Sequence, residues 1–154
     1  LRTLVTSFIT YCIEWDFRNE HFEYEVKKGT SEPFFLHLFR GCILFESLLK
    51  LNPVISPTSK TLGGILQEVK IINKLGINPI QGKKDGFVLE DMFDQLRSYD
   101  KSIDQAIQIS YMARNTLGHS LGWNEIINQS QYCELYLIIA ASCLHVIACL
   151  WRKI

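Results

Sequence analysis

The fold class follows from Leu135-Tyr136-Leu137-Ile138-Ile139-Ala140-Ala141-Ser142-Cys143-Leu144-His145-Val146-Ile147-Ala148-Cys149-Leu150-Trp151, seventeen residues that are nearly all apolar. A helix that crosses a bilayer needs roughly 20 apolar residues, and Ser142 and His145 interrupt this stretch. We therefore predict a helix that is buried on most sides of a helical bundle. A membrane span is the less favoured alternative.

Helical periodicity extends over the rest of the chain. Apolar residues recur at spacings of three and four, and turn residues separate six predicted helices, over about 1–26, 33–51, 61–75, 88–98, 101–118 and 125–152. Asp100 and Asn124 are the expected N-caps of the last two. We find no alternating strand pattern that leads into a hairpin turn. The prediction is an all-α bundle of about five to six helices, in a single domain over 1–154 that is either whole or part of a longer protein.

Composition narrows the function classes. The chain has 154 residues, 47% of them hydrophobic, and its sixteen basic and sixteen acidic residues cancel. A chain with balanced charge has no overall positive potential that would attract nucleic acid or an anionic membrane, so a polyanion would have to bind a local basic patch. The five cysteines are scattered without a Cys-x-x-Cys pair, and no histidine pair has ligand spacing. We expect no metal, no cofactor, no signal peptide and a cytoplasmic location.

One charged residue interrupts the apolar face of the predicted helix 101–118. At 100° per residue, Arg114 falls near the middle of the stripe formed by Ile103, Ala106, Ile107, Ser110, Ala113 and Leu117. A buried guanidinium is costly unless an acid pairs with it, or unless the stripe faces a polar cleft or an interface. Glu46, which lies among apolar neighbours, is a candidate partner, although a surface position for it is equally compatible with the sequence.

The same segment carries a proton-transfer group. His119 follows Arg114 by five residues, and Asn115 and His119, four apart, share a helix face. Gly118 and Gly122 predict that the helix ends here, which would let His119 turn toward Arg114. A histidine can move the proton of a ribose hydroxyl, and an arginine can stabilise charge on a phosphate. An Arg and a His at one spacing also occur by chance, which is the alternative.

The motif Arg114, Asn115 and His119, near a helix end and before a long apolar helix, resembles the HEPN superfamily. The resemblance implies an all-helical domain in which Arg and His are the catalytic pair and the polar residue after Arg assists. It further implies metal-independent RNA cleavage by 2′-hydroxyl attack, and a homodimer in which two motifs face each other across one cleft. Such domains occur in toxins and in CRISPR-associated and other antiphage ribonucleases, so a sensor domain or an antitoxin is an expected partner. Some members serve only as dimerising modules.

Three further residues are weaker candidates for RNA contact. Lys83 and Lys84 lie in a polar loop and can contact the RNA backbone, although a solvated turn is the default. Trp123 can stack on a base, or pack under its loop. The alternative function is a non-catalytic helical module that uses the stripe of helix 101–118 to dimerise or to dock a partner domain. A membrane-anchored regulator that uses Leu135 to Trp151 is a third, weaker hypothesis.

Overall fold

A computed structural model describes residues 2–27, 31–119 and 126–151. Every regular element in these ranges is a helix, which confirms the predicted all-α class. The helices are α1 (Arg2–Glu20), α2 (Phe22–Val26), α3 (Glu32–Lys50), α4 (Leu62–Ile65), α5 (Val69–Leu75), α6 (Leu89–Arg97), α7 (Ile103–His119) and α8 (Gln129–Leu150).

The described ranges contain eight helices rather than the predicted five to six, because two predicted segments are each broken once. The first is interrupted at His21, where the backbone leaves the helical region before α2 begins. The segment 61–75 is interrupted at 66–68, between α4 and α5. The apolar residues before and after each break keep the spacing of one continuous helix, so hydrophobic periodicity alone does not predict either break.

The apolar helix α8 lies at the centre of the bundle. It packs against α3 and α7 most extensively and against α5 and α1 at its margins. Its buried face includes Leu135, Ile139 and Cys143, each fully shielded from solvent. A hydrogen bond of 2.9 Å joins the buried hydroxyls of Ser110 on α7 and Ser142 on α8, so polar groups on the two central helices satisfy each other.

By length and composition, α8 is also the one helix in the described ranges that is long and apolar enough to cross a membrane. Half of its most apolar window is buried inside the bundle, while Leu137 and Leu144 are exposed. A core helix of a bundle has this pattern.

Two helix starts differ from the predicted ones. The N-cap of α8 is Asn128, whose side chain accepts a hydrogen bond from the amide of Gln131, whereas the predicted cap, Asn124, lies outside the described residues. The cap interaction of α7 comes from Ser102, whose hydroxyl accepts from the amide of Gln105, while Asp100 accepts from the amide of Ser102 one step earlier. In each case a better-placed capping side chain stands a few residues after the predicted one.

A buried polar network joins α1, α3 and α8. His37 Nε2 lies 2.9 Å from the carbonyl oxygen of Tyr11, and His37 Nδ1 lies 2.8 Å from the hydroxyl of Tyr132. A carbonyl can only accept, so Nε2 donates and Nδ1 accepts from the tyrosine. Burial lowers the pKa of His37, which the hydrogen bond to Tyr11 only partly opposes. His37 is thus a satisfied core histidine.

Candidate functional site

The last turns of α7 carry the three predicted catalytic residues. The described part of α7 runs through Gly118 to His119, one residue past the predicted bound at 118, so His119 is still helical and does not turn toward Arg114; Gly122 lies outside the described residues. On a continuous helix, side chains five positions apart diverge by about 140°. Arg114 and His119 of one chain therefore lie on different sides of α7.

Arg114 points toward α3. Its Nε donates to Glu46 Oε2 at 2.5 Å, and its guanidinium carbon lies 5.5 Å from the centre of the Phe39 ring. The side chain remains 29% exposed, so the guanidinium reaches the surface while its stem is covered. The pairing with Glu46 explains how a cation is accommodated at the edge of an apolar stripe.

The guanidinium lies directly over Gly118. A Cβ atom at that position would come within 2.6 Å of Arg114 Nη1 and 3.4 Å of the Phe39 ring. The absence of a side chain at Gly118 thus leaves the space that the guanidinium occupies, one helical turn after Arg114.

Glu46 is held between two cations. Its second oxygen lies 2.5 Å from Lys50 Nζ, and its side chain is only 12% exposed. Burial raises the pKa of Glu46, but the hydrogen bonds from Lys50 and Arg114 outweigh it, and the pKa lies below its ordinary value. The carboxylate is therefore ionised at neutral pH, and the cluster of Arg114, Glu46 and Lys50 carries one net positive charge.

Asn115 and His119 open onto a cleft on the other side of α7. The cleft has a volume of about 460 Å³, and its second wall is the loop that carries Lys83 and Lys84. The cleft is lined by Lys83, Lys84, Asp85, Gly86, Phe87, Tyr111, Asn115 and His119. The structure therefore brings four predicted site residues to one cleft, while Arg114 and Glu46 lie outside it.

The two lysines of the cleft differ in their partners. Lys83 Nζ lies 2.8 Å from Asp91 Oδ2 and 3.0 Å from Asp91 Oδ1, so its charge is already compensated. Lys84 is exposed and makes no ion pair or hydrogen bond with any residue in the described ranges. Lys84 is thus the lysine of this cleft that is available to an anionic ligand.

Sequence reasoning missed the two aromatic residues of the cleft. The rings of Phe87 and Tyr111 meet edge to face, with their centres 5.9 Å apart. The signal for Tyr111 was present, because Tyr111, Asn115 and His119 recur every four residues and so share one face of α7. Phe87 had no such signal, since only the tertiary fold brings its loop to that face.

Two remaining predictions concern Trp123 and metal binding. Trp123 lies outside the described residues. In the described ranges, no group of three or more His, Cys, Asp or Glu residues could hold a metal ion.

The α7 stripe proposed for dimerisation is not available to a second chain. Ala106, Ile107, Ala113 and Leu117 are buried in the chain's own core, mainly by α8 and α3. This expectation is therefore wrong, because the stripe already has an intramolecular partner. Any surface for a second chain must lie elsewhere on the bundle.

The chain matches no protein-family model, no curated protein and no solved structure among those with which it was compared.

Proposed function

We propose that this chain is a metal-independent endoribonuclease that resembles HEPN domains and acts as a homodimer. The observation that carries the proposal is the grouping at one end of α7. Asn115 and His119 open onto a cleft beside Lys84, and the half-buried guanidinium of Arg114 reaches the surface over Gly118. A proton carrier, an amide and a cation on the last turns of α7, with a lysine on the loop across the cleft, match the needs of phosphodiester cleavage.

In the proposed reaction the ribose 2′-oxygen attacks the adjacent phosphorus. A bond forms between the 2′-oxygen and phosphorus, and the bond from phosphorus to the 5′-oxygen breaks. The 2′-hydroxyl proton passes to a basic imidazole, and a protonated imidazole supplies a proton to the leaving 5′-oxygen. His119 fills these roles, Arg114 stabilises the charge on the phosphoryl oxygens, and Asn115 orients the reacting groups. The products are a 2′,3′-cyclic phosphate and a 5′-hydroxyl.

The geometry of α7 is the reason for invoking a second copy. Arg114 and His119 of one chain face different sides of the helix, so one motif alone does not direct both toward one phosphate. A twofold dimer would supply Arg114 from one subunit and His119 from the other. Exposed apolar residues stand near Arg114 on α3, where Leu36 and Ile43 are 42% and 44% exposed. Such a surface suits a subunit contact.

By the same resemblance, the biological setting is antiphage defence or toxicity in the cytoplasm, with CRISPR-associated systems as one example. A sensor domain or an antitoxin would control the activity. The proposed chemistry needs no cofactor and no metal.

Incubation of the purified protein with labelled single-stranded RNA in EDTA tests the proposal. We expect cleavage by the wild type and a loss of about a hundredfold or more in the His119→Ala and Arg114→Ala variants. His21→Ala and Arg97→Ala are matched controls, because both side chains lie on the surface outside the lining of the cleft and should leave the rate unchanged. Cleavage that is absent in the wild type, or equal in all proteins, would overturn the proposal.

A second candidate is a non-catalytic interaction module, which the apolar surface of α1 favours. Ile9, Ile13 and Phe17 recur every four residues and are 53%, 66% and 58% exposed. Such a stripe is typical of a helix that docks a partner. In this case sedimentation would show an oligomer that Ile13→Glu dissociates, and the RNA would remain intact.

A further inference from the structure

The cleft beside α7 combines aromatic rings with a cation. Phe87 and Tyr111 bring aromatic rings to it, and Lys84 brings a cation with no partner in the described ranges. Its volume of about 460 Å³ falls within the roughly 300–1,000 Å³ that is typical of small-molecule pockets.

We propose that this cleft binds one unpaired nucleotide of a single-stranded RNA. The base stacks on the aromatic pair, chiefly on the partly exposed ring of Phe87, and Lys84 binds the adjoining phosphate. The identity of the ligand as RNA rests on the proposed ribonuclease function. The proposal adds a binding role for residues outside the Arg–His motif, chiefly Phe87 and Tyr111.

Aromatic rings favour an unpaired base over a duplex. Bases that are free of pairing stack on phenylalanine and tyrosine side chains, whereas the bases of a duplex already stack on each other. Stacking tolerates any base because every base has a π-face. The pocket thus positions a strand, and polar side chains at its rim can read the base edge.

Polar groups complete the pocket on both walls. Asn115 offers an amide that both donates and accepts, and Asp85 offers a carboxylate that can accept from an amino group of a base. His119 lies in the same lining, so a nucleotide held here places the neighbouring phosphodiester beside the proposed catalytic imidazole. The pocket therefore acts as a positioning site for the scissile bond.

The local charge predicts a modest dependence on salt. Asp91 compensates Lys83, and Asp85 lies beside Lys84, so the pocket has little excess charge. Release of counterions from a single strand changes log K by roughly 0.7 per neutralised phosphate for each unit of log salt. Lys84→Gln should reduce the salt slope of binding by about that amount.

The experiment measures binding without cleavage. A fluorescein-labelled pool of random 2′-O-methyl hexanucleotides serves as the probe, because the methyl group blocks the attacking oxygen. Fluorescence anisotropy compares the wild type with Phe87→Leu and Lys84→Gln. Tyr24→Leu and Lys74→Gln are matched controls on exposed surfaces of α2 and α5.

We expect Phe87→Leu to weaken binding about tenfold and Lys84→Gln a few-fold, with both controls unchanged. A 2′-O-methyl duplex should compete poorly. The proposal is overturned if the wild type does not bind the probe, or if both pocket variants bind as tightly as the wild type. Lys84 is exposed, so its replacement tests the pocket even if Phe87→Leu proves unstable.

The two proposals fail in different ways. If the pool binds through Phe87 and Lys84 but all-ribose RNA stays intact, the pocket stands and the ribonuclease function falls. If all-ribose RNA is cut at the same KM and kcat by the wild type and both variants, the function stands and the pocket falls.

Discussion

Glu46 Oε2 accepts a hydrogen bond from Arg114 Nε at 2.5 Å, between residues that are 68 positions apart in the sequence. The contact joins α3 to α7 at the edge of the core. Lys50 Nζ lies 2.5 Å from the other Glu46 oxygen, so the carboxylate holds Arg114 in place without cancelling the positive charge of the cluster. Glu46 thus fixes the Nε edge of the guanidinium, and the Nη groups of Arg114 remain available to an anion.

Glu46→Gln should therefore lower both stability and RNA cleavage. The variant leaves a guanidinium that is only 29% exposed without its counter-charge, which we expect to cost about 1–2 kcal/mol, between the values for exposed and buried pairs. Urea unfolding at pH 7 measures this. Glu90→Gln removes the partner of an exposed pair with Arg97 and should change stability by less than about 0.5 kcal/mol. Equal effects of the two substitutions would contradict the assigned role of Glu46.

Gly118→Ala should separate stability from activity. Alanine is the better helix former by up to about 1 kcal/mol, but its Cβ would lie 2.6 Å from Arg114 Nη1. The flexible guanidinium can move away, so we expect an unchanged or slightly raised melting temperature and cleavage that falls by about tenfold or more. In an Arg114→Ala background the substitution should have no further effect on cleavage. A full effect in that background would show that Gly118 acts by another route.

Much of the fold was predictable because it depends on local spacing. The apolar stretch from Leu135 to Trp151 predicted a buried helix, and α8 lies at the centre of the bundle. The break at His21 and the turn after Ile65 were not predictable, since the apolar spacing on both sides of each fits one continuous helix. The start of α8 was misplaced because Asn124 and Asn128 are equally good caps by residue type.

The site was predictable only where a residue broke a local rule. An arginine on an apolar stripe needed an acid, a polar cleft or an interface, and Glu46, beside Phe45 and Leu48, was a candidate acid. The placement of Phe87 depends on how the loop at 82–87 packs against α7, which no local pattern specifies. The helix end predicted at about 118 lies one residue from the last described helical residue, His119, but the expected turn of His119 toward Arg114 does not occur, because His119 keeps its helical direction.

Stability should fall between pH 7 and pH 5 because of His37. Burial places its folded-state pKa below the ordinary value of 6.5, while Glu14 raises it and Arg18 and Arg40 lower it. The unfolded chain thus takes up the proton first as the pH falls. The stability is complete above pH 6.5 and declines toward the folded-state pKa, by at most about 1.4 kcal/mol per pH unit for one proton.

Thermal melts of the wild type and His37→Gln measure this contribution. The variant should be less stable at pH 7, because Tyr132 loses a buried hydrogen-bond partner or holds a poorer one. Its stability should also decline less between pH 6.5 and pH 5. His21→Gln, on the surface, should retain the full decline of the wild type. Parallel curves for the wild type and His37→Gln would assign the decline to other groups.

Mixed dimers test whether the two halves of the motif come from different subunits. Arg114→Ala and His119→Ala should each lose about a hundredfold or more of the activity when tested alone. In a mixed dimer, the subunit with intact Arg114 can act together with the partner subunit that retains His119, which restores one of two sites. Random exchange of subunits would then recover about one quarter of the wild-type sites, by the arithmetic of a twofold dimer. If both residues must come from the same chain, mixing recovers nothing. Such a result would mean that α7 changes shape near Gly118 when RNA binds, because the continuous helix holds Arg114 and His119 on different sides.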